Sequence, residues 1–186
     1  MKSLFIFRRD FRLDDNTGLI KCINESSEVL LLFIFTPEQI EKNEYFSSNS
    51  FQFLIESLEC LNEEIKKYNG HIHYYFGDNI SILEKIKKVY EYIKIYINKD
   101  YTPYALKREE EINTYLKKEK KELILIEDYL LAPMGTFLKK DNTPYQKYTP
   151  FWKNSWDSSI ISVNLESPWT NKKKIFITKN DYTISL

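Results

Sequence analysis

The architecture follows from one stretch near the start of the chain, Leu4-Phe5-Ile6-Phe7-Arg8-Arg9-Asp10-Phe11-Arg12-Leu13-Asp14-Asp15-Asn16-Thr17-Gly18-Leu19. Its leading apolar residues predict a short strand that is buried on both faces. The charged residues that follow lie at the carboxyl end of this strand, where open α/β sheets bind their ligands. Asp14 or Asp15 is expected to cap a helix with Leu19 and Ile20 on its apolar side. The stretch therefore predicts a strand, a charged loop and a helix, the first half of a βαβ unit.

Further apolar runs, separated by helical periodicity, repeat this pattern along the chain. A long helix is expected to start at Ser47, Ser48 or Asn49 and to end at Gly70 in a left-handed stop. The alternation favours an α/β fold, a Rossmann-like, doubly wound five-stranded parallel sheet with helices on both faces. The predicted strands after the first are residues 29–35, 71–76, 92–97 and 123–126.

The alternation is lost beyond about Tyr129, so we divide the chain into an α/β domain at residues 1–130 and an extended, irregular tail at 131–186. The tail contains every Trp of the chain. Because so many aromatic side chains are costly to leave in water, we expect the tail to pack on the sheet domain or on a partner. Its bulky aromatic residues are Tyr145, Tyr148, Phe151, Trp152, Trp156 and Trp169.

Composition narrows the classes of function. Basic and acidic residues both total 27, so the formal net charge is zero and unaided DNA binding is disfavoured. Cys22 and Cys60 are the two cysteines, which suits a reducing compartment. No apolar run is long enough for a membrane span or a signal peptide. We therefore expect a soluble, intracellular protein of the cytoplasm or nucleus.

The charged loop after the first strand lacks the glycine spacing of dinucleotide-binding and P-loop proteins. Its arginines have two interpretations. They either bind a carboxylate or phosphate, or they pair with neighbouring acidic residues and brace the loop, as charged loops commonly do. The residues concerned are Arg8, Arg9 and Arg12, with Asp10, Asp14 and Asp15 as the candidate partners.

Other polar clusters carry weaker signals. His71 and His73 lie on the same side of a predicted strand, but a third zinc ligand is not evident, so we interpret them as polar residues on an exposed edge. The charge runs at 109–111 and 117–121 are interpreted as the solvated face of a helix. No nucleophile elbow or acid and base pair is recognisable. The residues alone thus indicate a ligand-binding scaffold, with no catalytic or metal site.

The opening stretch nevertheless resembles that of DNA photolyases and cryptochromes, whose pattern is aromatic-Arg-x-Asp-Leu-Arg-x-x-Asp-Asn-x-x-Leu. Three further blocks agree in order with this family, and together the four blocks cover about residues 2–156. These blocks are Phe33 to Pro37, then Asn98 to Glu109 with its Asp100-Tyr101-Thr102-Pro103-Tyr104 core, then Pro144 to Lys153.

The resemblance implies the amino-terminal α/β domain of that family, with strand order 3-2-1-4-5. In that order the loops that start at Arg8 and Asn98 face one another at the topological switch. In many family members this domain holds an antenna chromophore, namely 8-hydroxy-5-deazaflavin, methenyltetrahydrofolate or a flavin. The candidate cofactor-binding residues are Arg8, Arg9, Asp10, Arg12, Phe33, Ile34, Phe35, Asp100 and Thr102.

In this family FAD, the electron-transfer tryptophans and the DNA groove belong to a second, helical domain. This chain stops before such a domain, so we expect no photorepair from it alone. The resemblance implies a helical FAD-binding domain or subunit as partner, with DNA contacted only through it. Two alternatives stay open: a nucleotide- or pterin-binding carrier or sensor module, and a degenerate photolyase fragment.

Overall fold

The computed structural model describes residues 1–156 and Phe176. A five-stranded sheet of order β3-β2-β1-β4-β5 forms its centre, and every neighbouring pair of strands is parallel. The predicted fold class and strand order are therefore confirmed. The strands are β1 (Lys2–Ile6), β2 (Glu28–Phe35), β3 (Ile72–Phe76), β4 (Lys94–Asn98) and β5 (Glu122–Ile126).

Helices follow each of the first four strands, and a short one forms in the tail. Helices α1 and α3 cover one face of the sheet, and α4 and α5 cover the other. Among the described residues, none of the helices is long and apolar enough to cross a membrane. The helices are α1 (Thr17–Glu25), α2 (Pro37–Ile40), α3 (Ser48–Lys66), α4 (Asn79–Val89), α5 (Pro103–Lys118) and α6 (Tyr148–Ser155).

The apolar runs of β1 and β2 are buried on both faces because successive side chains point in opposite directions. Phe5 and Phe7 pack with Leu19 on the α1 side, whereas Leu4 and Ile6 belong to the opposite cluster. The core is thus split into two layers by the sheet. This arrangement holds the loops at the carboxyl ends of the strands on a rigid base.

The cap of α1 differs from the prediction. Asn16, and neither Asp14 nor Asp15, caps the helix by accepting a hydrogen bond from the Leu19 N–H at 3.0 Å. Asp15 instead adopts a left-handed conformation with φ of 52°. Asn16 is fully buried, and its amide group donates to the Asp10 carbonyl, which a carboxylate could not do. The cap of α3 is Ser47, one of the predicted residues.

The end of α3 also differs from the prediction. Asn69 takes the left-handed conformation, with φ of 60°, where Gly70 was expected to do so. Gly70 serves close packing, because a Cβ atom there would lie 2.5 Å from Ile65 Cγ2. Its N–H still closes the helix on the Ile65 carbonyl at 3.1 Å.

The tail is less irregular than predicted, since Tyr148–Ser155 forms α6. The large apolar side chains between residues 131 and 156 are mostly exposed, Leu131 by 72% and Trp156 by 69%, whereas Phe176 packs against the core cluster on the α1 and α3 side. Phe176 makes an isolated parallel bridge with Val29 of β2. The predicted tail residue Trp169 lies outside the described residues.

Candidate functional site

The loops after β1 and β4 meet where the strand order reverses, at the carboxyl edge of the sheet. Asn98, the last residue of β4, donates from Nδ2 to Asp10 Oδ2 at 2.6 Å and to Asn16 Oδ1 at 2.8 Å. All three side chains are buried. The prediction that these two loops face one another is thereby confirmed, and the location fits the rule for ligand crevices in open α/β sheets.

We call the hydrogen-bonded cluster of Asp10, Asn16 and Asn98 the junction, and the Asp10 carboxylate is its central acceptor. It receives the Arg8 backbone N–H at 2.7 Å in addition to the Asn98 amide. Burial raises the pKa of Asp10, and the hydrogen bonds from Arg8 and Asn98 partly oppose that rise. The carboxylate is therefore satisfied inside the protein. Asn16 and Asn98 were not singled out from the sequence as residues that join the two loops. For Asn98 a usable signal existed, because it is the polar residue that ends an apolar strand.

Arg12 pairs with a residue that the sequence did not suggest. Its Nη2 contacts Asp128 Oδ2 and the Asp15 carbonyl, both at 2.7 Å. Asp128 Oδ1 also accepts the Thr17 N–H at 2.8 Å, at the start of α1. The expected ion pairs within the loop are therefore wrong for Arg12, because the fold brings in an acid 116 residues away.

Arg8 and Arg108 place two buried guanidinium groups near this edge. Arg8, 7% exposed, donates from Nη2 to Asn79 Oδ1 at 2.9 Å. Arg108 of α5 is 6% exposed, and its guanidinium carbon lies 5.7 Å from the centroid of the Tyr104 ring. Burial, followed by the charge of Arg108, lowers the pKa of Arg8 to about 9. Arg9 is exposed and does not join them.

The three candidate residues Phe33, Ile34 and Phe35 form the carboxyl end of β2, within the strand predicted at residues 29–35. Phe33 and Phe35 belong to the α1 and α3 side, and Ile34 faces the opposite cluster. Ring centroids of Phe11 and Phe33 are 5.8 Å apart, those of Phe33 and Phe35 4.8 Å, and those of Phe35 and Phe51 6.0 Å. We call these four phenylalanines the aromatic row. Ile34 does not belong to it.

Asp100 and Thr102 shape the loop between β4 and α5. Asp100 Oδ1 accepts the Tyr101 and Thr102 N–H groups at 2.7 and 3.1 Å. Thr102 caps α5 by accepting the Ala105 N–H at 3.3 Å. Both side chains are half-buried beside the junction, so they border the same edge as Asp10. Their role towards a ligand stays a prediction.

Two interpretations of other polar residues are corrected. His73 is buried, not on an exposed edge, and its ring meets that of His71 at 5.2 Å. In residues 1–156, no cluster of three or more potential metal ligands is found.

Glu110 and Glu111 of the charge run are exposed, as expected, but Glu109 is buried. Burial raises the pKa of Glu109, whose Oε1 accepts the Asp100 N–H at 3.3 Å.

Comparison with known proteins identifies the family. The photolyase of a Synechococcus strain is 28% identical over 165 residues, which is 89% of this chain and 34% of that protein. The photolyase of Buchnera aphidicola from Acyrthosiphon pisum is 30% identical, with 95% of this chain and 38% of that protein aligned. Cryptochrome-2 of Arabidopsis thaliana is 28% identical over 90% of this chain and 27% of its own length.

The three-dimensional comparison agrees. An archaeal photolyase from Sulfolobus tokodaii superposes with a TM-score of 0.85 and 29% identity, over 99% of this chain and 40% of that one. Its crystal structure has two FAD molecules, with the implication of a novel light-harvesting cofactor. The chain thus spans little more than a third of these photolyases. Since the DNA photolyase family model matches residues 3–168, the chain belongs to the DNA photolyase family and corresponds to its amino-terminal α/β domain.

Proposed function

We propose that this domain binds an antenna chromophore and serves a photolyase-like protein in light-dependent DNA repair. The observation that carries the proposal is the buried Asn98–Asp10 junction at the topological switch of a photolyase-family sheet. When bound, the chromophore would absorb light and pass the excitation to FAD held elsewhere. The residues of this chain would bind and orient it, with Asp100 and Thr102 at the border of the crevice.

Among the three chromophore classes, we favour a flavin. Phe11 and Phe51, the half-buried ends of the aromatic row, offer ring surface of the kind that packs on a planar heterocycle, and the buried Phe33 and Phe35 lie between them. The Sulfolobus tokodaii photolyase, which shares 29% identity, has two FAD molecules. 8-Hydroxy-5-deazaflavin and methenyltetrahydrofolate are the competing ligands in the test below. Asp10 and Arg12, whose hydrogen bonds go to other residues of the chain, would then act mainly by holding the crevice in shape.

The test is visible absorbance of the purified protein after incubation with each chromophore and removal of free ligand. One flavin per chain, retained on gel filtration, is the expected result. Asp100→Ala should weaken retention, whereas Asp141→Ala, an exposed aspartate of the tail, should not. If none of the three chromophores is retained but an adenine nucleotide stabilises the protein, the carrier or sensor function replaces the antenna function.

We also propose that the tail docks onto a helical FAD-binding domain or subunit, and that residue 130 is the boundary between the two parts of this chain. Residues 129–138, together with Phe151, Trp152 and Trp156, surround an apolar cavity of about 840 Å³. A contiguous group of exposed apolar and aromatic side chains is typical of a protein–protein interface. DNA contact would come only through that partner.

Docking is tested by pull-down and light scattering with the helical domain of a photolyase relative. Trp152→Ser and Trp156→Ser, made together, should reduce binding at least roughly tenfold, since large aromatic residues are common interface hot spots. Tyr45→Ser is the matched control, because Tyr45 is an exposed aromatic residue outside the tail. Absence of binding by the unaltered chain would contradict the proposal.

A further inference from the structure

The two buried arginines at the carboxyl edge have donors without acceptors. Arg8 Nε, Arg108 Nε and Arg108 Nη2 are buried and have no hydrogen-bond partner among the described residues. The Arg8 side chain donates a hydrogen bond from Nη2 to Asn79 Oδ1, which is the oxygen of a neutral amide. An unpaired buried guanidinium is costly, because the protein must replace the water that solvated its charge.

The neighbouring carboxylates balance the charge of the two arginines in part, but they accept no hydrogen bond from the three unpartnered nitrogen atoms. Asp10 is occupied by the Arg8 backbone N–H and by Asn98. Glu109 Oε1 lies 3.8 Å from Arg108 Nη2, beyond hydrogen-bond distance, and accepts from the Asp100 N–H instead. The positive charges of Arg8 and Arg108 repel one another, and both guanidinium groups are buried away from water.

Tyr104 lies beside both arginines at this edge. This residue is 44% exposed, its ring lies against Arg108, and its hydroxyl is 3.3 Å from Thr36 Oγ1, just after β2. Thr36 follows Phe35, the β2 end of the aromatic row. A ligand with a planar ring on one side and an anionic group on the other would match this succession of apolar and basic surfaces.

We propose that Arg8 and Arg108 together form an oxyanion site that binds the phosphate group of a flavin nucleotide. Guanidinium groups bind phosphate through paired N–H bonds of fixed geometry. Three buried nitrogen atoms lack acceptors among the described residues, which suits the oxygens of a phosphate better than the two of a carboxylate. The inference rests on the proposed antenna function for the flavin, but the oxyanion site itself is testable without it.

The first experiment uses inorganic phosphate and thermal unfolding of the full chain. Replacing chloride with phosphate at constant ionic strength should raise the Tm in a saturable way, on the order of 5 °C at a hundredfold excess over Kd. Arg108→Gln should abolish this rise, and Arg108→Lys should weaken it. Lys107→Gln, which removes an exposed cation from the same helix, should leave it intact. Equal stabilisation by chloride, or an unchanged response in both Arg108 variants, overturns the proposal.

The second experiment compares FMN with riboflavin, which differ only by the phosphate. FMN should bind the unaltered chain at least roughly tenfold more tightly, which corresponds to about 1.4 kcal/mol. Arg108→Gln should remove this preference without changing the affinity for riboflavin. Equal binding of both flavins refutes the phosphate site but preserves the antenna function. If neither flavin binds while phosphate stabilises the chain through Arg108, the antenna function fails and the oxyanion site stands.

Discussion

The carboxyl edge of the sheet and the tail depart from the usual distribution of residues in opposite directions. The edge buries charged side chains, including Arg8, Asp10 and Arg108, whereas the tail exposes large apolar ones such as Leu131 and Trp156. Polar residues at the edge are held by partners from distant parts of the sequence. In the tail, apolar residues surround an open cavity of about 840 Å³. The two regions thus differ in the kind of surface that each of the proposals above requires: buried charge at the edge and exposed apolar side chains in the tail.

The difference also predicts where stability resides. The buried hydrogen bonds of Asn98 and of Arg8, at 2.6 to 2.9 Å, contribute to the free energy of unfolding. If one partner is removed, the other is left buried without a hydrogen bond, because water does not reach it. Exposed tail residues contribute little, since they are as solvated in the folded chain as in the unfolded one. Paired substitutions in the two regions test this contrast directly.

The largest effect is expected for Gly18→Ala, at the edge. A Cβ atom on Gly18 would lie 2.1 Å from Asn98 Oδ1, so Asn98 would have to abandon its bonds to Asp10 and Asn16. We expect a loss of about 3 kcal/mol in the free energy of unfolding. Urea denaturation measures it.

Gly135→Ala in the tail is the matched control for that substitution. Gly135 has a positive φ of 84° but nothing within 4 Å of the added methyl group. Backbone strain alone should cost about 1 kcal/mol. Equal losses at the two glycines would mean that the edge is no more tightly packed than the tail.

Asp128→Ala should have the next largest effect. Asp128 accepts from Arg12 and from the Thr17 N–H, so its removal takes the carboxylate partner from Arg12, which keeps only the Asp15 carbonyl, and leaves the Thr17 N–H without its acceptor. The expected loss is about 2 kcal/mol by urea denaturation. Asp141→Ala is the comparison in the tail, because Asp141 also accepts a backbone N–H, that of Thr143, but is exposed. A loss there as large as at Asp128 would contradict the contrast.

A smaller, pH-dependent effect is expected for Glu109→Gln. Burial raises the pKa of Glu109, so the folded state binds its proton more tightly than the unfolded state does. Its contribution to stability therefore falls as the pH rises from the ordinary Glu value of 4.5 through the raised value. Relative to the unaltered chain, Glu109→Gln should gain stability as the pH rises from 4 to 7.

Denaturant unfolding at several pH values measures this difference. Glu110→Gln is the control, since it makes the same chemical change at an exposed position of the same helix, and the change of the difference with pH should be larger for Glu109→Gln. A change for Glu109→Gln no larger than that for Glu110→Gln would show that the Glu109 carboxyl is solvated as fully as its neighbour.

The smallest effect on folding is expected for Trp156→Ala. The Trp156 ring contacts Trp152 at a centroid distance of 4.9 Å but is largely exposed. The free energy of unfolding should change by less than about 0.5 kcal/mol, while binding to the helical partner domain, measured by pull-down, should decrease. A loss above about 1 kcal/mol would place Trp156 in a packed core and remove the tail as a docking surface.

Much of the fold could be predicted because local patterns determine it. The apolar runs around Phe5 and Leu31 are buried strands, and the periodic positions of α3 face the core, as their spacing indicated. The strand order came from the resemblance, since alternation alone does not specify which strands are neighbours. Capping was predicted at Ser47 but wrong at Asp14 and Asp15, where tertiary hydrogen bonds select the amide of Asn16.

The site was harder to predict because its partners are distant in the sequence. Arg12 meets Asp128, and Arg8 meets Asn79, across separations of 116 and 71 residues. No spacing rule connects such pairs. The burial of Arg108 within a charged helical run was hidden for the same reason. The opposite orientation of Ile34 in β2 could have been predicted, since strand side chains alternate between faces.

The amide of Asn98 joins two loops at their base, so the position of one loop relative to the other is fixed before any ligand binds. Binding of a chromophore between these loops would cost little conformational entropy, and the bound chromophore would have one orientation relative to the sheet. Transfer of excitation between two pigments depends on the angle between their transition dipoles. Under the proposed antenna function, one buried asparagine would in this way help to set how efficiently absorbed light reaches FAD.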